Sequence, residues 1–177
     1  MSRPAVFLDR DGVINRSHVV DGRPYPPASP DELVIPPEVP DGLDRLRLAG
    51  FELVVVTNQP DVARGTQRRE IVEAINAELG RRLLLDDFRV CYHDDRSCCE
   101  CRKPSAGLLL AAARDRDLDL NRSFMVGDRW RDVEAGRRAG CRTVLIDHKY
   151  AETVTTIPDV RVCDFAEATE WILSARR

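Results

Sequence analysis

Short, almost uninterrupted apolar runs, three of them closed by a polar tip, limit most strongly what this chain can fold into. Phe51-Glu52-Leu53-Val54-Val55-Val56 is β-branched, nearly all apolar, and ends in Thr57-Asn58-Gln59. A half-exposed strand alternates polar and apolar residues, whereas a continuous run of this kind is buried on both faces, as in a parallel sheet. Ala5-Val6-Phe7-Leu8 runs into Asp9-Arg10-Asp11-Gly12, and Ser123-Phe124-Met125-Val126 runs into Gly127-Asp128. Further strands are expected at Phe88–Tyr92, Arg142–Asp147 and Val160–Cys163.

Helical spacing fills the intervals. A helix is expected from about Val39 to Leu48, with Leu43, Leu46 and Leu48 recurring and Gly50 as the stop. Another is expected from about Gln67 to Leu84, where Ile71, Ile75 and Leu79 share a face beside Val72. Ser105 to about Arg116 follows, with Ser105 as N-cap and Leu108, Leu109 and Ala112 inward. Shorter helices fit Asp132–Ala139 and Phe165–Ala175. Strands alternating with helices predict an α/β fold, an open and mostly parallel sheet with helices on both faces. At 177 residues and 43% hydrophobic content, one domain spanning 1–177 has enough core. Seven of the eleven prolines fall between residues 24 and 40, which excludes a helix there. Residues 13–36 are therefore expected as an extended flap, with Asp21-Gly22 as a hairpin turn.

A formal net charge of −3 with interleaved signs points away from nucleic-acid and anionic-membrane surfaces. The first apolar run is too short for a signal-peptide core and no run approaches membrane-spanning length, so a cytoplasmic protein is expected.

In parallel sheets ligands bind beyond the carboxyl ends of the strands, so the separate polar tips become one site. Asp9 and Asp11 alone are equally consistent with a turn, since Asp-Gly is a common turn dipeptide. The joint order Asp-x-Asp, Thr, Lys, Gly-Asp favours chemistry. Asp9 can attack a phosphoryl group as nucleophile, and Asp11 can protonate the leaving alcohol and then deprotonate water. Asp9, the backbone carbonyl of Asp11, and Asp128 can together supply oxygens to Mg²⁺. Lys103 adds positive charge and the Thr57 hydroxyl can donate to a phosphoryl oxygen. Asp132, four residues after Asp128 on the same helical face, is expected to support the site from behind.

Four of six cysteines, Cys91, Cys98, Cys99 and Cys101, lie within eleven residues and next to His93. Without an export signal such clustering favours metal over disulfides. Cys91-x-His93 and Cys99-x-Cys101 make a complete Cys₃His set for a closed, structural Zn²⁺ in a loop spanning about 91–101. Cys98 competes with Cys99 for the fourth place.

Asp9-x-Asp11-Gly12, Thr57-Asn58, Lys103 and Gly127-Asp128 resemble the four motifs of the haloacid dehalogenase superfamily, over about residues 5–147. Phe7 to Asn15, Thr57-Asn58-Gln59, Ala63-Arg64-Gly65 and the Cys-x-Cys-Arg-Lys-Pro run at 99–104 are similar to its heptose-bisphosphate and histidinol-phosphate phosphatase branch. The resemblance implies a Rossmann-like fold without a cap domain. It assigns Asp9 as nucleophile, Asp11 as acid/base, Thr57 and Lys103 as phosphoryl stabilisers and Asp128 as a magnesium ligand. It places Arg102 at the substrate and gives the zinc to Cys91, His93, Cys99 and Cys101.

Asn58, Arg64 and Arg129 are candidate substrate contacts, Arg129 for a second phosphate. The activity the resemblance implies is Mg²⁺-dependent hydrolysis of a small phosphorylated sugar through an aspartyl-phosphate, foremost heptose 1,7-bisphosphate at the 7-phosphate, with histidinol phosphate or another small phosphoester as the alternative. Outside enzymes, the alternative is a catalytically silent, zinc-stabilised binding module. A monomer or small homo-oligomer fits either reading. Pro60-Asp61, a short metal loop and a flap carrying Arg23 and Tyr25 depart from the branch, and all border the leaving group.

Overall fold

The computed structural model describes residues 2–153 and 155–176. Six strands form one wholly parallel sheet: β1 (Ala5–Leu8), β4 (Glu52–Asn58), β5 (Asp87–Cys91), β6 (Phe124–Gly127), β7 (Arg142–Ile146) and β8 (Val160–Val162), in the order β5-β4-β1-β6-β7-β8. The chain builds outward from β1 in one direction, then returns to build on its other side. That reversal leaves a crevice over the carboxyl end of β1. Register lines up the strand ends there, because Leu8 pairs with Val55 of β4 and with Val126 of β6.

The apolar runs face two cores. Val6, Leu8, Leu53 and Val55 point to one side, against α1 (Glu38–Leu48), α2 (Arg69–Arg82) and α5 (Phe165–Ala175) through Leu43, Leu46, Ile75, Leu79, Phe165 and Ile172. Ala5, Phe7, Val54 and Val56 point to the other, against α3 (Gly107–Arg116) and α4 (Trp130–Ala139) through Leu109, Ala112 and Ala135. The period-two pattern of a strand thus feeds both layers, as the continuous runs predict. Glu52, the one charged residue within its run, is buried but pairs with Arg3 at 2.6 Å and Arg116 at 2.7 Å.

The flap contains an antiparallel hairpin, β2 (His18–Val20) with β3 (Arg23–Tyr25), turning at Asp21-Gly22. Among the described residues no cap subdomain is inserted; this hairpin is what stands beside the crevice. No described helix is long and apolar enough to cross a membrane.

Two expectations need correction. Leu48 does not join the core face of α1: it lies nine residues beyond Val39, about half a turn round the helix, and is 88% exposed. Ser105 is not the N-cap of α3. Its N–H donates to Arg102 in a turn, the helix begins one residue later after Ala106, and no side chain caps it.

Gly42 marks where α1 meets α5. A Cβ there would stand 2.7 Å from both Phe165 Cε1 and Thr169 Oγ1. Overpacking costs about 1–3 kcal/mol, more than the roughly 1 kcal/mol that alanine gains over glycine in a helix. Gly42→Ala is therefore expected to lower the urea midpoint while leaving the crevice, which neither Gly42, Phe165 nor Thr169 lines, unaltered. A midpoint at or above that of the unaltered protein would contradict this packing.

Candidate active site and metal centre

Asp9 stands one residue beyond β1, its N–H still donating to Val126 O at 2.9 Å, so its side chain enters the crevice. Lys103 reaches the same point from the chain that follows the cysteine cluster. Its ammonium contacts Asp9 Oδ1 at 2.8 Å, Asp132 Oδ1 at 2.7 Å and Val56 O at 2.7 Å. Only 2% of the lysine is exposed. Burial opposes its charge, but Asp132 and Asp9 outweigh that and push its pKa up. Asn58 fixes the lysine backbone by a pair of hydrogen bonds, Nδ2 to Lys103 O at 3.0 Å and Lys103 N to Oδ1 at 3.1 Å. Both amide atoms of Asn58 are thus engaged with Lys103, although the residue still lines the crevice.

Asp9, Asp128 and Asp132 bring carboxylate oxygens within 4.8 Å of one another. Three carboxylates face one ammonium here, and burial pushes Asp9 up to about 7 against the pull of Lys103. Burial, with Asp9 next, raises Asp128 well above the usual carboxylate range. Asp128 Oδ1 is buried with no protein partner. An all-oxygen donor set with excess negative charge and an orphaned oxygen fits a magnesium ion. Gly12 makes room for this arrangement: at φ +84° it lies in the left-handed region, and a Cβ would sit 1.9 Å from Asp128 Oδ2.

The Asp11 side chain lies apart from that trio. It accepts from Arg10 Nη2 at 3.1 Å, Asn15 Nδ2 at 3.0 Å and Gln59 Nε2 at 2.9 Å, and still lines the crevice. Gln59 also donates to Thr57 Oγ1 at 2.9 Å, linking the two tips. Arg10, wholly buried, is braced by Asn76 Oδ1 at 2.9 Å.

The cavity over these groups measures about 170 Å³ and is rimmed by Tyr25, Asp61, Arg64, Arg102, Arg129 and Arg131. Arg102 and Arg131 pair with Asp95, Arg64 with Asp95 and Asp61, and Arg129 with Glu152.

Cys91, His93, Cys99 and Cys101 converge with Sγ···Sγ distances of 3.1, 3.5 and 3.8 Å. His93 Nδ1 lies 3.3 Å from Cys101 Sγ and 3.6 Å from Cys91 Sγ. A tetrahedral zinc with bonds of about 2.3 Å needs sulfur–sulfur edges near 3.8 Å, so the group fits zinc after a small expansion. Cys98 is exposed and outside the group. Burial opposes ionisation of Cys99, yet the Arg102 N–H and the neighbouring thiols bring it down to about 7.

Comparison with known proteins agrees with this geometry. Residues 100–162 match the family model described as HAD-hydrolase-like. A crystal structure of D,D-heptose 1,7-bisphosphate phosphatase from B. bronchiseptica, complexed with magnesium and phosphate, superposes with a TM-score of 0.83 at 31% identity. The match covers 97% of this chain and 99% of that one. D-glycero-D-manno-heptose-1,7-bisphosphate 7-phosphatase from Thermosynechococcus vestitus is 34% identical, covering 97% of this chain and 96% of its own. The chain belongs to this phosphatase family. The counterpart from Escherichia coli K12 is 36% identical over 82% of this chain and 79% of its own.

Within the family fold, the contacts of one expected residue and the presence of two others escape sequence reasoning. Asp132 was expected on the helical face of Asp128, but Asp128 precedes α4 and only Asp132 is in it, as the third residue. There Asp132 Oδ2 accepts from Arg129 N at 3.0 Å and Oδ1 from Lys103, so it caps the helix and touches the lysine directly. Tyr150 donates to Asp128 Oδ2 at 2.9 Å from a loop with no periodicity to flag it. Asp95 lies between metal ligands and carries no signal beyond its charge.

In the magnesium-free protein Asp9 is raised from its unfolded value near 4 to about 7. Its contribution to stability is therefore present below about pH 4 and is lost as the pH rises through about 7. Magnesium, binding the ionised carboxylates, should restore it. The rise in melting temperature on adding Mg²⁺ to zinc-replete protein is expected to be larger at about pH 8 than at about pH 5.5. Equal rises at both would contradict the assignment of this carboxylate trio to a cation.

Proposed function

We propose that this protein is a Mg²⁺-dependent phosphomonoesterase that removes the 7-phosphate from D-glycero-D-manno-heptose 1,7-bisphosphate. The observation that carries the reading is the Asp9 carboxylate, 2.8 Å from the buried Lys103 ammonium at the point where the strand order reverses. The named activities of its relatives and the chemistry of the rim support it.

Asp9 attacks the phosphorus and the sugar oxygen leaves, taking a proton from Asp11. Water then attacks the aspartyl-phosphate, gives its proton to Asp11, and releases phosphate with Asp9 restored. Lys103 holds Asp9 in place and faces the charge that builds on the phosphoryl oxygens, with the Thr57 hydroxyl as a further donor. Magnesium, held by Asp9, the Asp11 carbonyl and Asp128, with Asp132 in reach, supplies charge neutralisation and alignment of the phosphoryl group. Arg64, Arg102 and Arg129 with Arg131 form the basic rim that receives the rest of an anionic substrate. Zinc is structural, fixing the backbone that leads into Arg102 and Lys103. Action in the cytoplasm on a small sugar phosphate, as a monomer or small homo-oligomer, belongs with this reading.

Asp9→Asn is expected to lower turnover by at least about a thousandfold with the melting temperature retained or raised, since a buried charge is removed. Across a phosphoester panel including histidinol phosphate, kcat/KM should be highest for the heptose bisphosphate. Retained activity in Asp9→Asn would overturn the mechanism, and a preference for histidinol phosphate would overturn the substrate.

A further inference from the structure

Three guanidiniums from separate parts of the fold close on one carboxylate at the rim. Asp95 Oδ1 accepts from Arg102 Nε at 3.1 Å and Arg131 Nη1 at 3.0 Å, and Oδ2 lies 3.4 Å from Arg64 Nη2. Arg64 comes from the connection between β4 and α2, Arg102 from the chain leaving the zinc cluster, and Arg131 from the first turn of α4. All three line the catalytic cavity, whereas Asp95 borders an adjoining one of about 310 Å³. Among the described residues Asp95 is the only carboxylate in salt-bridge reach of Arg102 and Arg131.

The charges do not balance. Even with Asp61 on Arg64 at 3.2 Å, positive charge remains, and Arg131 Nε is buried without a partner. A guanidinium presents its N–H donors in a planar fork that suits phosphate as well as carboxylate. Asp95 therefore occupies the place where a second anionic group of a substrate would bind. Its loop allows exchange: the side chain is 55% exposed, and the segment hangs between His93 and Cys99. The adjacent Asp94 closes a local turn by accepting from Arg96 N at 3.0 Å and Ser97 Oγ at 3.0 Å. Displacing Asp95 thus disturbs no core packing.

We propose that Asp95 is a specificity-determining residue, a tethered carboxylate that competes with the second phosphate of a bisphosphorylated sugar for Arg64, Arg102 and Arg131. The inference rests on the bisphosphate reading of the site. It also explains how product leaves. Hydrolysis of one phosphate keeps the distal one, and with it every contact to the arginines, so a competitor on the same loop hastens release.

The test uses binding without turnover. In the Asp9→Asn background, fructose 1,6-bisphosphate is titrated calorimetrically into proteins with and without Asp95→Asn, with methyl phosphate as the single-phosphate reference and zinc content measured. Asp95→Asn is expected to tighten the bisphosphate about three- to tenfold, leaving methyl phosphate unchanged; Asp95→Glu should restore the original affinity. Asp95→Ser repeats the comparison, so the result does not hang on one variant keeping its zinc. Unchanged or weaker bisphosphate binding, binding to neither protein, or equal tightening of both ligands overturns the proposal. If the unaltered protein fails to hydrolyse heptose bisphosphate, the proposed function fails, while this comparison still decides what Asp95 does.

Discussion

A single buried ammonium ties the structure together at its working end. Lys103 Nζ touches the end of β1 through Asp9, the end of β4 through Val56 O, and the first turn of α4 through Asp132. Removing a lysine charge from water is expensive unless anions and hydrogen bonds replace the lost solvent. Here two carboxylates and a carbonyl do so. The same contacts hold Asp9 pointing into the crevice, so the group that stabilises the lysine is also the proposed nucleophile. The arrangement remains short of positive charge because Asp128 adds a third carboxylate, and this deficit is the physical reason for a divalent cation.

The flap and the loop after β7 complete the enclosure in place of a cap. His148 Nε2 meets Gly12 O at 2.7 Å, Tyr150 donates to Asp128, and Ala151 N donates to Gly22 O at 2.9 Å in the hairpin turn. Glu152 pairs with Arg129 at 2.8 Å. One short loop therefore touches the residue after the Asp-x-Asp pair, a candidate magnesium ligand, the hairpin and the rim. The hairpin itself has little core, with Val19 and Val20 each 56% exposed. Its position depends on these polar ties rather than on burial.

Much of this was legible in the residues. The sheet could be read because parallel strands buried on both faces have little alternation, and Val54-Val55-Val56 has none. The ends of those runs located the crevice, since polar residues at the end of a buried strand have to emerge somewhere. Contacts made at long sequence separation were not legible. Asp132 was visible as a residue, but the strand-to-helix junction that sends it to Lys103 depends on close approach over Gly127, where a Cβ would lie 2.0 Å from Asp132 Cβ. Tyr150 reaches Asp128 from a loop whose sequence has no pattern, and the arginine cluster exists only because α4 and two connections meet in space. Leu48 departs from expectation for a simpler reason: its apolar character does not imply burial, because its angle round the helix turns it to solvent.

The position of the cysteine cluster explains why a catalytic domain of this size should carry zinc. Residues 95–98 are exposed and Cys99 and Cys101 only half-buried, so apolar packing cannot hold the loop in one conformation. Yet Cys101 is followed immediately by Arg102 and Lys103, one on the rim and the other at the Asp9 carboxylate. Slack of even an ångström in that backbone would move the ammonium off Asp9 and loosen the two hydrogen bonds from Asn58. Metal–thiolate bonds impose a fixed geometry where a hydrophobic core is missing, and they do so at the point from which both cations are aimed. Zinc bound to this group would hold the end of the loop from which Arg102 and Lys103 leave, while the Asp95 side chain in its middle is 55% exposed.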